Sequence, residues 1–586
     1  MKRLMVYLKN YKKECVLAPL FKMLEASFEL LVPLVMAAVI DTGIVNGDRG
    51  YVIRMCLVMI GLGVTGLICS VTAQYFAAKA AAGFATGVRH ALFAHIQGLS
   101  YTEMDTLGTS TMITRMTSDV NQTQSGVNMT LRLFLRSPFI VFGAMVMAFT
   151  INVRAAMIFV VTIPLLSVVV FGIMLITMPL YKRVQAALDR VLGTTRENLT
   201  GVRVLRAFNK EEEERKRFSE RNETLTRMQV AAGRVSALMN PITYVIINGA
   251  VVALIWTGAI QVDGGIITQG EVVALVNYMS QILVELIKLA NLIITITKAL
   301  ACAGRISAVL ETESSMTAPA LEEWKGNGKD RMPAPAKPGT VEFRHVCLTY
   351  QNAGAESLTE VDFKAEPGQT IGIIGGTGSG KSSLVNLIPR FYDATKGSVR
   401  VDGVDVKEYP LEVLRGKIGV VPQKAVLFKG SISDNLKWGK KDASQEEMWE
   451  ALELSQAREF VEKKGGGLDM RITQGGKNLS GGQRQRLTIA RALVKKPEIL
   501  ILDDSASALD FATDAKLRQA IRGMKEKLTV FIVSQRAASI QYADQIIVLD
   551  DGEVAGIGTH EQLLAGCPVY QEIYYSQFPK EECANG

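Results

Sequence analysis

The chain is short of cysteine, of histidine and of any internal repeat, and each shortage narrows what it can be. The seven cysteines (Cys15, Cys56, Cys69, Cys302, Cys347, Cys567 and Cys583) are scattered and odd in number. No pair has metal-ligand spacing, which argues against a cysteine-held zinc centre or a disulfide framework and for free thiols. No dense lysine and arginine stripe interleaves with aromatics, so the net charge of +8 does not read as a nucleic-acid footprint. The basic start, residues 1–13, is followed by an apolar segment without a small-residue cleavage site, so no cleaved signal peptide is expected.

What is present is two unlike halves. A chain of 586 residues is expected to hold several domains. Its average of 48% hydrophobic and 21% charged residues conceals long apolar runs in the N-terminal half and a soluble α/β pattern in the C-terminal half. Six runs approach the roughly 20 residues that a spanning helix needs. With approximate edges they are 16–40, 52–82, 133–150, 155–180, 242–260 and 272–296. Lys2, Arg3, Lys9, Lys12 and Lys13 precede the first, which puts that end in the cytoplasm. The loop 41–50, with Asp41, Asp48 and Arg49, suits the other side. An even number of spans returns the chain to the cytoplasm. The expectation is therefore a multi-pass protein of the cell membrane with both termini cytoplasmic.

The connections at 83–132 and 181–240 are long, polar and rich in helix formers. They predict helices that continue well beyond the bilayer before turning. The charge run Lys210 to Arg217 reads either as a solvated helix face or as a loop tip that docks on the soluble half. Inside the spans, Glu25 and Glu29 lie one helical turn apart, and Glu285 and Lys288 share the sixth run. Ionisable groups there are costly unless paired or facing a wet cavity. Two readings stand open: a polar cavity between helices, or a place near the interface or in local pairing, such as Glu285 with Lys288. Between 311 and 339, Gly326, Gly328, Pro333, Pro335 and Pro338 among charges mark a linker. The expected domains are 1–310 transmembrane, 311–339 linker and 340–586 nucleotide-binding.

The soluble half is organised around Gly375-Gly376-Thr377-Gly378-Ser379-Gly380-Lys381-Ser382, which fits G-x-x-x-x-G-K-[ST]. Ile371, Ile373 and Ile374 before it read as a strand, and Ser383, Leu384, Val385 and Leu387 after it as a helix. Glycines let backbone N–H groups curl around phosphate at the positive end of that helix. Lys381 would reach the β- and γ-phosphates and the Ser382 hydroxyl would ligate Mg²⁺. The apolar strand 499–503 ends in Asp503, placed to hold Mg²⁺ through water. Leu479-Ser480-Gly481-Gly482-Gln483 opens a helix reaching Val494 and reads as a second anion site. Two phosphate sites in one domain make sense if two domains pair head to tail, each covering the other's ATP.

These motifs resemble the ATP-binding-cassette transporters, specifically an exporter-type half-transporter, and the resemblance spans nearly the whole chain. It implies six transmembrane helices with long cytoplasmic extensions, a membrane all-α region, fused to an α/β P-loop cassette that binds ATP and Mg²⁺. It also implies residue roles. Tyr350 would stack on adenine. Gln423, in Val421-Pro422-Gln423, would touch Mg²⁺ and report to the membrane half. Ser480 and Gly482 would contact the γ-phosphate held by the opposite cassette, within the signature that includes Gly481 and Gln483. Thr473 to Gly476 resembles the loop before the signature, and Ser507-Ala508-Leu509-Asp510 the loop linking the two sites. Gly201 to Phe208 resembles the second inner-loop segment that couples to the cassette.

Two positions depart from that family. Where it has a glutamate base after the Mg²⁺ aspartate, this chain has Asp504, one methylene shorter. Where it has a histidine after the strand 529–533, this chain has Gln535, which hydrogen-bonds but carries no charge. His90, His95, His345 and His560 all lie elsewhere. Losing a positioned base typically costs about 10²–10⁴ in rate. The resemblance is then to the degenerate-site subunit of heterodimeric multidrug-type exporters. Such a subunit holds ATP at an impaired site and gives an intact signature to a different, competent partner. Two other functions stay open: a non-pumping regulatory membrane subunit, and an importer on the same scaffold. A soluble cassette protein of nucleic-acid metabolism is excluded by the six spans. The substrate, a small molecule or peptide, is not legible. Glu25 and Glu29 would suit amphipathic cations.

Overall fold

Six helices of 41 to 53 residues carry the first part of the chain in the computed structural model. They are Leu4–Ile44, Arg49–Gly98, Thr109–Ile151, Val153–Thr200, Glu211–Asp263 and Gln269–Glu311, each long and apolar enough to cross a membrane. The structure describes residues 3–578 apart from 320, 322–323, 325–337, 352, 506–508 and 525–527. At about 1.5 Å per residue each helix is about twice the roughly 30 Å hydrocarbon thickness, so each extends far past the bilayer.

Two compact units result: residues 1–97 with 110–312, and residues 98–109 with 313–586. In the first, small residues allow close helix approach. A Cβ on Gly126 would sit 2.2 Å from the Ala299 Cβ, and one on Gly270 only 2.4 Å from the Ala37 carbonyl oxygen. The Tyr278 hydroxyl donates to the Leu30 carbonyl at 2.6 Å, tying the sixth helix to the first. Asp41, expected in a loop, belongs to the last turn of the first helix. There it accepts from the Gly270 N–H at 2.7 Å and the Thr268 hydroxyl at 2.5 Å.

Glu211 to Glu214 open the helix Glu211–Ala237, where its dipole favours acids. Lys210–Glu213, Arg215–Glu212 and Arg217–Glu214 pair locally on an exposed surface. The 201–208 segment forms the short helix Val202–Ala207, none of it buried.

The second unit is built on two larger sheets. Its strands are β1 Val341–Leu348, β2 Leu358–Ala365, β3 Thr370–Gly375, β4 Lys396–Val401, β5 Val404–Asp405, β6 Ile418–Val421, β7 Gly430–Ser431, β8 Arg471–Ile472, β9 Ile499–Asp503, β10 Thr529–Val533, β11 Gln545–Asp550 and β12 Glu553–Gly558. A six-stranded sheet runs β12-β11-β3-β10-β9-β6, parallel except for the β11–β12 pair. A four-stranded sheet runs β2-β1-β4-β5. Strands β3, β9 and β10 are continuous apolar runs because helices cover both faces of a parallel sheet.

Candidate functional site

The carboxyl ends of β3, β9 and β10 converge, which is where open parallel sheets place ligands. The chain after β3 forms a tight loop that opens the helix Lys381–Leu387. Gly378 and Gly380 adopt φ of +90° and +91°, a region side chains rarely adopt. A Cβ on Gly380 would meet the Ser357 carbonyl at 2.7 Å, and one on Gly375 the Leu549 carbonyl at 2.1 Å. Gly376 and Gly378 face open space. The loop therefore presents bare backbone to a cleft of about 570 Å³.

Lys381 folds back over the loop and donates to the carbonyls of Gly375 at 3.0 Å and Gly376 at 2.5 Å, and to the Ser379 hydroxyl at 3.3 Å. Burial holds its ammonium below the usual lysine range, against the pull of Asp504 and Asp503. The Ser382 hydroxyl donates to the Asp503 carboxylate at 2.9 Å. Burial raises the Asp503 carboxyl, the Ser382 hydrogen bond opposes this, and the Asp504 charge adds to it. A buried carboxylate beside a hydroxyl and a lysine fits a cation bound with phosphate. Ser382 and Asp503 are the pair that would hold Mg²⁺.

Asp504 and Gln535 both line this cleft, with Gln423, Ser383 and Tyr350. Asp504 has a φ of 45° and donates its N–H to the Val533 carbonyl at 3.0 Å, which pins the end of β9 to the end of β10. Gln423 donates to the Asp504 carboxylate at 3.3 Å. The Tyr350 hydroxyl donates to the Ser383 hydroxyl at 2.9 Å, and burial raises its phenol.

Ser480, Gly481, Gly482 and Gln483 are absent from the cleft lining. Ser480 instead caps the helix Gly481–Leu493: its hydroxyl accepts from the Gln483 N–H at 3.3 Å, while the Gln483 side chain accepts from the Ser480 N–H at 3.1 Å. Ser480 and Gly481 are exposed. Asp510 caps the helix Phe511–Gly523 by accepting from the Thr513 N–H at 3.2 Å. Ser507 and Ala508 lie outside the described residues.

Several contributors carry no motif. Glu356, Ser357, Asp551 and Gly552 complete the cleft wall. Gln577, at the end of the helix Pro568–Gln577, grips the loop behind Gln535: its amide donates to the Gln535 carbonyl at 2.8 Å and accepts from the Ala537 N–H at 2.9 Å. Tyr392 packs edge-on to Tyr350 at 5.0 Å and donates to the Asp105 carboxylate at 2.6 Å. Tyr101 packs at a tilt against Phe391, ring centres 4.9 Å apart, and the Thr106 hydroxyl donates to the Gln351 side chain at 3.0 Å. The short helix Tyr101–Leu107 is thus part of the cleft's outer support. No motif in the sequence pointed to it.

Among known proteins, residues 15–286 match the family model of the ABC transporter transmembrane region, and residues 358–507 that of the ABC transporter. An uncharacterized ABC transporter ATP-binding protein of Mycobacterium tuberculosis (strain ATCC 25618 / H37Rv) is 38% identical over 576 residues, covering 97% of each chain. The ATP-dependent lipid A-core flippase of Salmonella typhimurium is 28% identical over 578 residues, covering 98% of this chain and 97% of its own. A bacterial Atm1-family ABC exporter with ATP bound has the same fold, with a TM-score of 0.78 at 22% identity, over 97% of this chain and all of the other.

Proposed function

The chain belongs to the ABC transporters, and we propose that it works as one subunit of an exporter of amphipathic compounds, paired with a different half-transporter. In this reading it sits in the cell membrane with both termini in the cytoplasm. Residues 1–310 form the translocation domain, 311–339 the linker and 340–586 the cassette. ATP binds between the phosphate loop and Tyr350. Lys381 and the loop N–H groups hold the β- and γ-phosphates, and Ser382, Asp503 and Gln423 hold Mg²⁺. The ion, when bound, neutralises charge on the transferring phosphate. The export direction draws on the fold shared with an exporter. The amphipathic cargo draws on a relative named for moving a lipid.

The observation that carries the reading is an intact phosphate cradle with Asp504 and Gln535 on its wall. The shorter Asp504 carboxylate reaches less far toward an attacking water, and Gln535 brings no charge to the γ-phosphate. The exposed Ser480 and Gly481, off their own cleft, are available to a partner's ATP. A homodimer would own two slow sites. A heterodimer lets this chain's signature serve a competent one.

Purified alone, the chain should bind ATP and turn it over slowly. Asp504→Glu with Gln535→His should raise turnover about 10²-fold or more. Brisk hydrolysis by the natural chain would overturn the degenerate-site reading in favour of a homodimer. With its partner in inside-out vesicles, substrate should accumulate inside when ATP is added. Loss of substrate from loaded vesicles would mean import, and no flux with normal ATP binding would mean a regulatory subunit.

A further inference from the structure

The charged residues of the spans are not a set of free carboxylates awaiting a cation. Arg136, counted within an apolar run, is the hub. It donates to Glu29 and to Glu285, at 2.6 Å each. Glu285 also accepts from Lys288 at 2.7 Å and from the Ser137 hydroxyl at 2.8 Å. Glu25 is held by Lys22. Three cations meet three anions, so neither Glu25 nor Glu29 is an unpaired carboxylate.

The order of charges matters more than their sum. Glu29, Arg136, Glu285 and Lys288 form a chain of alternating sign. Its interior is buried, with Arg136 and Glu285 side chains 8% and 3% exposed. Its ends are open, with Glu29 40% and Lys288 42% exposed. Both ends line one cleft of about 400 Å³, to which Val32, Met36 and Met59 add apolar surface. Gln281 also lines it, and its buried side-chain oxygen has no hydrogen-bond partner. A negative end and a positive end in one cleft, joined by a neutral buried pair, match a ligand carrying both charges in the opposite order. A singly charged ligand satisfies one end and is repelled by the other.

We propose that this intramembrane cleft binds a zwitterionic amphiphile, its cationic group at Glu29 and its anionic group at Lys288. The cargo class rests on the export reading. The binding does not, because it needs no ATP.

The test uses the full chain in nanodiscs of phosphatidylglycerol, which supply no zwitterion. Binding is measured for dodecylphosphocholine, dodecyltrimethylammonium and dodecyl phosphate, corrected for empty discs, and for the soluble zwitterion leucyl-leucine. Dodecylphosphocholine should bind about five- to tenfold tighter than either singly charged analogue. Glu29→Gln should shift the preference to dodecyl phosphate, and Lys288→Gln to dodecyltrimethylammonium. Binding of leucyl-leucine would identify a soluble solute, and its absence a lipid-like headgroup. Equal binding of the cation or the anion to the natural chain would overturn the proposal, as would two variants that weaken all ligands alike. Thermal melting checks that each variant folds; if one does not, the ranking on the natural chain decides alone. Zwitterion binding without ATP-dependent transport would remove the export reading and leave the site.

Discussion

Lys381 closes the phosphate loop on itself through three hydrogen bonds to its own backbone and Ser379. Each would be exchanged for phosphate when ATP enters, so the ammonium never stands unpaired in a buried place. Gln577 performs the other notable residue-scale task. Its single amide satisfies two backbone groups of the loop behind Gln535. Each such bond contributes about 0.5–1.5 kcal/mol net. Gln577→Ala should therefore weaken binding of a non-hydrolysable ATP analogue several-fold, with a small fall in melting temperature. Gln577→Glu keeps the acceptor for Ala537 and loses the donor to Gln535, so its affinity should fall in between. An unchanged dissociation constant for Gln577→Ala would show that the loop holds its shape without this grip.

At the scale of elements, the short helix Tyr101–Leu107 is sensitive to acidity. Its first turn holds Glu103, buried, which accepts from the Ser100 N–H at 3.1 Å, from the Ser100 hydroxyl, and from the Ser315 N–H at 3.1 Å. Burial pushes this carboxyl up, but the hydrogen bonds from Ser100 and Ser315 outweigh it and hold it below the usual glutamate range. The folded form therefore binds its proton less readily than the unfolded one. The stabilisation, on the order of 1 kcal/mol, is full above about pH 4.5 and is lost as pH falls through the folded value. Hydrogen-exchange protection of residues 98–109 should fall at pH 4 relative to pH 7. In Glu103→Gln, which keeps the cap but cannot titrate, protection should not change with pH. The contact of Glu103 with Ser315, more than two hundred positions away, was not legible in the sequence.

At the scale of the whole molecule, buried charge joins helices that are distant in sequence. Arg136 of the third span holds Glu29 of the first and Glu285 of the sixth. Removing one member of such a set leaves an uncompensated buried charge, at a cost of about 3–5 kcal/mol. Arg136→Met should lower the melting temperature of the reconstituted protein sharply, and Arg136→Met with Glu285→Gln should recover part of the loss. Equal melting for the two variants would mean that the charges do not depend on each other. The same contacts give the acidic residues of the first span partners within the protein.

Much of the architecture was contained in the sequence alone. Six apolar runs dictate six spanning helices, because unpaired backbone is too costly in lipid for any other local structure. The strand, glycine loop and helix around Lys381 follow from local patterning, because φ near +90° at Gly378 and Gly380 is a property of glycine itself. Asp504 and Gln535 were visible as departures because they occupy fixed offsets from apolar strands. Only the tertiary structure decided the partners of Arg136, the grip of Gln577 and the seating of Tyr392 between Tyr350 and Asp105. Those depend on which surfaces meet after long stretches of chain have returned on themselves. Hydrophobic periodicity says which face of an element is buried and leaves open which charge or amide waits on the other side.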